Sequence, residues 1–166
     1  MKNQPVLDLP KTATEVWLDV ASWLFVAIGF ALAFGHYPGL PEQIPTHFGL
    51  SGEADKFGSK NTIFLLPVLS LVLVGGLVYL MRFLHKFNYL SKITPENAES
   101  EYRRMRILLR TVNVLTSLLF LVITWDTIRA ANGEGKGLSV WFWIVFILTV
   151  TVPPMVLLGS SGKKRG

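Results

Sequence analysis

His36, Glu42, His47, Glu53 and Asp55 fall within one stretch, "HYPGLPEQIPTHFGLSGEADKFGSK", which occupies residues 36–60. Imidazoles and carboxylates are the ligands that zinc and similar divalent ions take. His47, Asp55 and Glu42 form the candidate metal set. Their spacing is not that of HExxH or another established ligand pair. The competing reading is structural: His47 hydrogen-bonds the loop, and Asp55 caps a turn or pairs with Lys60. His36 ends an apolar run, where an imidazolium suits a helix C-terminus. Nucleophilic catalysis has less support. Ser51, Ser59 and Ser70 lack an elbow motif such as GxSxG, and no glycine-rich phosphate loop is present. The chain has no cysteine, which removes disulfides and thiolate chemistry.

The elements that must position these groups are apolar. Hydrophobic residues make up 51% of the 166 residues and charged residues only 16%, against roughly 25% charged in soluble domains. Four stretches, about 16–35, 62–84, 107–128 and 138–158, approach or exceed the roughly 20 residues that cross a hydrocarbon core. Continuous apolar runs such as "LVLVGGLVYLM" predict helices, because a lipid-exposed backbone must bond within its own segment. "ALA" at Ala31–Ala33 resembles a signal-peptide cleavage site, but the run before it is long for a signal peptide. The expectation is an all-α integral membrane protein. One four-helix domain covers residues 1–166, with a structured extracytoplasmic loop at 36–61.

Basic residues set the direction. Twelve lie in the N-terminal tail, around the second connection and in the C-terminal tail: Lys2, Lys11, Arg82, Lys86, Lys92, Arg103, Arg104, Arg106, Arg110, Lys163, Lys164 and Arg165. Four lie in the first and third connections: Lys56, Lys60, Arg129 and Lys136. Both termini are therefore expected inside, in a bacterial cytoplasmic membrane, with the 36–61 loop outside. The net charge of +5 is explained by this placement beside apolar segments, and nothing points to nucleic acid. Arg103, Arg104 and Arg106 read either as headgroup contacts or as a docking surface for a cytoplasmic partner. "TPENAESEYRRMR" predicts a helix start with Thr94 as N-cap and Pro95 at N1.

Ionisable groups inside spans call for partners. Asp19 and Arg110 lie at matched depth and are expected to pair. Asp126 is expected to pair with Arg129, three residues on, or to anchor Lys56 or Lys60. Asn113 adds an interhelical polar contact. Charges sit at the two rims, which counts against a transporter with a midplane site. Gly75 and Gly76 permit close helix approach. Pro67 and Pro153–Pro154 are kink candidates, and the five tryptophans mostly flank span ends as an aromatic belt does.

The loop is longer than a connection between adjacent spans requires. Pro38, Pro41 and Pro45 stiffen it. "QIPTHF" suggests a strand-like piece at Ile44–Phe48, and Gly49, Gly52 and Gly58 offer turn positions. Ser59 or Asn61 is the expected cap of the second helix.

These residues also carry a resemblance. Leu40–Pro41, Ile44–Pro45, His47–Phe48, Gly52, Asp55 and Gly58–Ser59–Lys60 resemble the signature of a bacterial membrane domain of unknown function. That domain forms the N-terminal half of SdpI-type toxin immunity proteins. The resemblance covers about residues 36–68. This chain has four spans where the longer immunity proteins have six, and it lacks their second-half signature. The resemblance implies an envelope membrane protein with its motif loop near the outer surface, protecting against a toxin. The expected function is envelope binding or protection, with a peptide toxin as ligand on the outer face and the lipid bilayer as partner. Pro41, Pro45, His47, Asp55, Ser59 and Lys60 are the candidate ligand-binding residues. The alternative is a metal-dependent membrane enzyme or small transporter with its site at the same loop.

Overall fold

The computed structural model describes residues 4–158. Lys2, Lys163, Lys164 and Arg165, used in the charge count, lie outside the described residues. The described chain is mostly helical. Four helices, α1 (Ala13–His36), α2 (Leu65–Leu80), α3 (Ala98–Ala131) and α4 (Val140–Leu158), carry the spans, and α2 is extended at both ends by 3₁₀ turns, Lys60–Phe64 and Met81–Lys86. All four segments are long and apolar enough to cross a membrane. The protein is an integral membrane protein. Between α1 and α2 stands a two-stranded antiparallel hairpin, β1 (Gln43–Phe48) and β2 (Ala54–Ser59).

α1 starts where Thr12 and Glu15 form a capping box. The Thr12 hydroxyl accepts from the Glu15 N–H at 3.3 Å, and the Thr12 N–H donates to Glu15 Oε2 at 2.8 Å. α3 begins at Ala98, three residues after the expected Pro95. Residues 95–97 form a turn, in which the Thr94 carbonyl accepts from the N–H groups of Asn97 and Ala98. At about 1.5 Å per residue α3 is about 50 Å long, against roughly 30 Å of hydrocarbon. It therefore projects beyond the membrane as expected. Pro67 is the third residue of α2. It stands just past the point where the 3₁₀ turn passes into the α-helix.

The bundle is built around α3, which packs against the other three helices. Its buried positions include Tyr102, Arg106, Arg110, Asn113, Ser117 and Thr124, a stripe at three- and four-residue spacing. Small and polar side chains face inward, with Ser22 of α1 and Ser70 of α2 also buried. Large apolar ones such as Leu24, Val72, Ile147 and Trp141 face outward. This inversion fits a bundle solvated by lipid, where close approach and interhelical polar contacts hold helices together. A Cβ built at Gly29 would meet the Pro67 ring at 3.8 Å and one at Gly75 the Trp23 ring at 3.9 Å, both ordinary contacts, whereas nothing lies within 4 Å of a Cβ built at Gly76. The expectation of close packing at Gly76 is not met.

At the end away from the hairpin, the expected Asp19–Arg110 pair is present, with Nε to Oδ1 at 2.9 Å. It belongs to a larger network. Glu15, only 1% exposed, meets Arg106 Nε and Nη2 at 2.8 and 2.9 Å, and Arg110 Nη1 at 3.8 Å. Lys11 closes on Asp19 at 2.8 Å. Arg106 also donates to the Leu9 carbonyl, and Tyr102 to that of Pro5. These bonds strap the N-terminal segment along α3. Arg106 is therefore largely buried and already paired. Arg103 pairs with Glu99, and Arg104 with Glu101.

Candidate functional site

The sequence explains β1 better than β2. "QIPTHF" carries a β-branched pair and an aromatic, whereas "ADKFGS" has few strand formers. β2 forms because β1 offers it a ladder. Gly58 consequently lies opposite Ile44 in β2 and not in a turn. A Cβ there would come within 3.0 Å of the Thr46 side chain. The turn itself uses Gly52, whose φ is +81°, a region favouring glycine. The Gly52 N–H donates to the Gly49 carbonyl, and the Gly49 N–H to that of Glu53.

Two irregularities aim the site. From Pro45 to His47 the partner advances only from Phe57 to Lys56, so Thr46 is an extra residue in β1. From His47 to Phe48 the partner advances from Lys56 to Ala54, so Asp55 is an extra residue in β2. Bulges re-aim side chains and interrupt pairing. This offsetting pair brings His47 Nδ1 within 2.6 Å of Asp55 Oδ1. Both side chains are about half exposed, at 57% and 48%. With Nδ1 held by the carboxylate, Nε2 is left to accept or donate toward a ligand.

The hairpin is not a free flap. Leu40 and Ile44 are buried with Ala33, Ile63 and Ile128 in one apolar cluster, which seats the hairpin base on α1 and α3. Lys60 closes the base through Glu42 at 2.9 Å and lies over the Tyr37 ring at 5.2 Å. Ser59 caps the following 3₁₀ turn, accepting from the Asn61 N–H. The other end is clamped by the connection between α3 and α4. The Leu138 N–H donates to the Gly52 carbonyl at 2.8 Å, and the Ala54 N–H to that of Lys136 at 3.3 Å. Asp126, fully buried, accepts from the Ser139 N–H and hydroxyl at 2.8 and 2.9 Å. It thereby caps the start of α4. The expected pair with Arg129 is also present, with Nη1 at 3.9 Å from the other carboxylate oxygen, whereas Lys60 is engaged by Glu42. The roles of Lys136, Leu138 and Ser139 were not legible, because their partners are far away in sequence.

Beneath the hairpin lies a cleft of about 340 Å³. Its upper wall is Pro45, Thr46, His47 and Phe48, and its lower wall comes from Leu65, Leu66, Ile123 and Phe142 of the spans. Thr124 and Thr127 add hydroxyls. The site is thus an apolar hollow at the helix ends, with an imidazole–carboxylate pair at its rim. Of the six expected binding residues, Pro45 and His47 line the cleft, Asp55 orients His47, Lys60 and Ser59 fix the hairpin base, and Pro41 is exposed at its entry. The expected metal set is not assembled. Glu42 is drawn to Lys60, and among the described residues no group of three His, Asp or Glu converges. His36 bonds the Leu32 carbonyl through Nδ1 at 3.0 Å and meets the Trp125 ring edge-on, as its position at the end of α1 predicts.

Residues 24–71 match the family described as "Domain of unknown function (DUF1648)". The match runs from the second half of α1 through the hairpin into α2, less than half of the chain. An uncharacterized protein of Archaeoglobus fulgidus is 55% identical over 31 residues, which are 19% of this chain and 17% of that relative's length. The chain therefore spans only a small part of that relative. No solved structure matches the chain.

Proposed function

We propose that the chain is a binding protein of the bacterial cytoplasmic membrane, with both termini inside and the hairpin outside. In this reading the hairpin and cleft capture an amphipathic ligand at the outer face, and protection against a membrane-active peptide toxin is its biological form. One observation carries the reading: an apolar cleft that begins in the spans and ends at the His47–Asp55 rim. A ligand with an apolar body and a polar end has both needs met there. The metal-enzyme alternative has no specific observation behind it, since Glu42 is committed to Lys60.

The sidedness rests on the excess of basic residues in the tails and second connection. Ser51→Cys, in the exposed hairpin turn, is expected to react with an impermeant thiol reagent in intact cells. Ser161→Cys, which lies outside the described residues, is expected to react only after permeabilisation. The opposite pattern would reverse the orientation.

The site itself is tested by His47→Ala and Asp55→Ala. An exposed pair of this kind contributes roughly 0–1 kcal/mol to stability, so both variants are expected to insert and stay monodisperse. In a sensitive host challenged with cationic membrane-active peptides, the parent chain is expected to raise survival. Each variant is expected to lose most of that protection, at least about tenfold, the effect of forfeiting one charge-assisted contact of about 1.5–3 kcal/mol. Protection by both variants equal to the parent's would remove the hairpin from the functional account.

A further inference from the structure

At the end of the bundle opposite the hairpin there is a second cavity, of about 430 Å³. One wall is apolar, formed by Val6, Leu7, Val78 and Leu84. The other is basic, formed by Lys11, Arg82, His85, Arg106 and Arg110, with Asp8 as the single carboxylate lining it. Glu15 and Asp19 stand behind that wall and hold Arg106, Arg110 and Lys11. Four fixed cations therefore face three carboxylates, and His85 adds a further titratable nitrogen.

Two details give this excess a direction. Arg110 is only 4% exposed, and its Nε and Nη2 face Asp19 at 2.9 and 3.4 Å. Its Nη1 instead donates to the Met81 thioether at 3.1 Å and, at 3.4 Å, to the Arg106 carbonyl. A thioether is a weak acceptor, and the nearest carboxylate oxygen to Nη1, Oε1 of Glu15, stands at 3.8 Å, beyond hydrogen-bond distance, so this buried guanidinium edge is left below its bonding capacity. At the rim, Arg82 lies over the Tyr79 ring at 5.9 Å. Among the described residues, neither Arg82 nor His85 has a carboxylate within ion-pair distance. An anionic oxygen placed beside Arg110 would replace the sulfur with a charge-assisted bond, and its remaining charge would meet Arg82 and His85.

We propose that this cavity binds the phosphodiester headgroup of an anionic phospholipid, with its acyl chains along the Val6, Leu7, Val78 and Leu84 wall. The cavity lies where α1 begins and the second span ends, at the depth where headgroups lie. Basic pockets between transmembrane helices suit such headgroups. A zwitterionic lipid brings its own cation toward Arg82 and His85 and is disfavoured. This site is independent of the hairpin cleft and its function.

The test measures the melting temperature of the purified full chain in neutral detergent, with phosphatidylglycerol, phosphatidylcholine or inorganic phosphate added. Phosphatidylglycerol is expected to raise the midpoint, and the other two to leave it unchanged. Arg82→Gln with His85→Gln alters only rim groups outside the buried network. Its midpoint without lipid is expected to match the parent's. Its half-saturating phosphatidylglycerol concentration is expected to rise at least about fivefold, the effect of one surface cation. An equal shift with phosphatidylcholine would overturn the proposal, as would full phosphatidylglycerol response in the double variant. A shift from inorganic phosphate alone would overturn the lipid assignment.

Discussion

Gly137→Ala is expected to release the hairpin from the bundle, while Gly135→Ala, two residues earlier in the same connection, is expected to do little. A Cβ at Gly137 would lie 2.0 Å from the Gly52 carbonyl oxygen and 2.8 Å from the Glu53 Cα. Both are backbone atoms, so no rotamer change relieves the clash. The two chains must separate, which breaks the Leu138-to-Gly52 and Ala54-to-Lys136 bonds together. Overpacking costs about 1–3 kcal/mol, and each lost hydrogen bond about 0.5–1.5 kcal/mol. A total of roughly 2–6 kcal/mol exceeds what a two-stranded hairpin retains by itself, because an isolated hairpin is marginal in water. At Gly135 the nearest atom is the end of the Arg129 side chain at 3.5 Å, an ordinary contact. Hydrogen exchange should show protection lost at Ala54 and Leu138 in Gly137→Ala only. On the proposed function, protection of the host should fall with it. Similar exchange in both variants would mean that the hairpin does not depend on this clamp.

That clamp qualifies what the family match says. The matched segment, residues 24–71, contains the hairpin and the helices that flank it. The groups that hold the hairpin in place are the carbonyl of Lys136, the N–H of Leu138 and the bare Cα of Gly137, all outside the match. The cleft likewise needs Ile123 and Phe142 from α3 and α4. The hairpin is therefore not a self-contained unit on which ligand recognition can be judged alone. On the proposed function, the site is the matched segment closed by the connection between α3 and α4.

The spans were legible because length and composition suffice for them: lipid demands about 20 apolar residues and an internally bonded backbone. His47 and Asp55 stood out by residue type, and Asp19 and Arg110 by depth. Their geometry was another matter. The His47–Asp55 bond depends on one extra residue in each strand, and neither bulge leaves a mark in "QIPTHF" or "ADKFGS". For Asp126 the pair with Arg129, three residues away, was legible, but the two donors of Ser139, thirteen residues on, were not. Gly137 had no signal, since only the approach of Gly52 makes a side chain there intolerable. Glu15 was not singled out in the sequence at all. An acid at the third helical position after threonine marks a capping box, and nothing local shows that the same carboxylate is buried against arginines 91 and 95 residues away.

Glu15 accordingly carries the largest expected effect on stability. It is 1% exposed, and its carboxylate serves both the Arg106 guanidinium and the Thr12 N–H. Glu15→Ala leaves Arg106, itself 7% exposed, without its counter-charge and takes the acceptor from the Thr12 N–H, one half of the capping box. Breaking a buried pair from one side costs about 3–5 kcal/mol, and loss of the bond to the Thr12 N–H adds about 0.5–1.5 kcal/mol. At about 2–4 °C per kcal/mol for a chain of this size, the apparent melting temperature should fall by roughly 10–20 °C. Asp19→Ala should cost less. Asp19 is 13% exposed and shares its charge between Arg110 and Lys11, and Arg110 still has Glu15 at 3.8 Å. The control is Glu15→Leu with Arg106→Met, which removes both charges and keeps apolar volume. If the penalty of the single variant comes from an uncompensated buried cation, the double variant should melt well above Glu15→Ala. It should not regain the parent's value, because the Thr12 N–H and the Leu9 carbonyl have lost their partners. If the double variant melts as low as the sum of its single losses predicts, Glu15 and Arg106 are not coupled. The strapping of the N-terminal segment would then rest on Tyr102 and the backbone contacts alone.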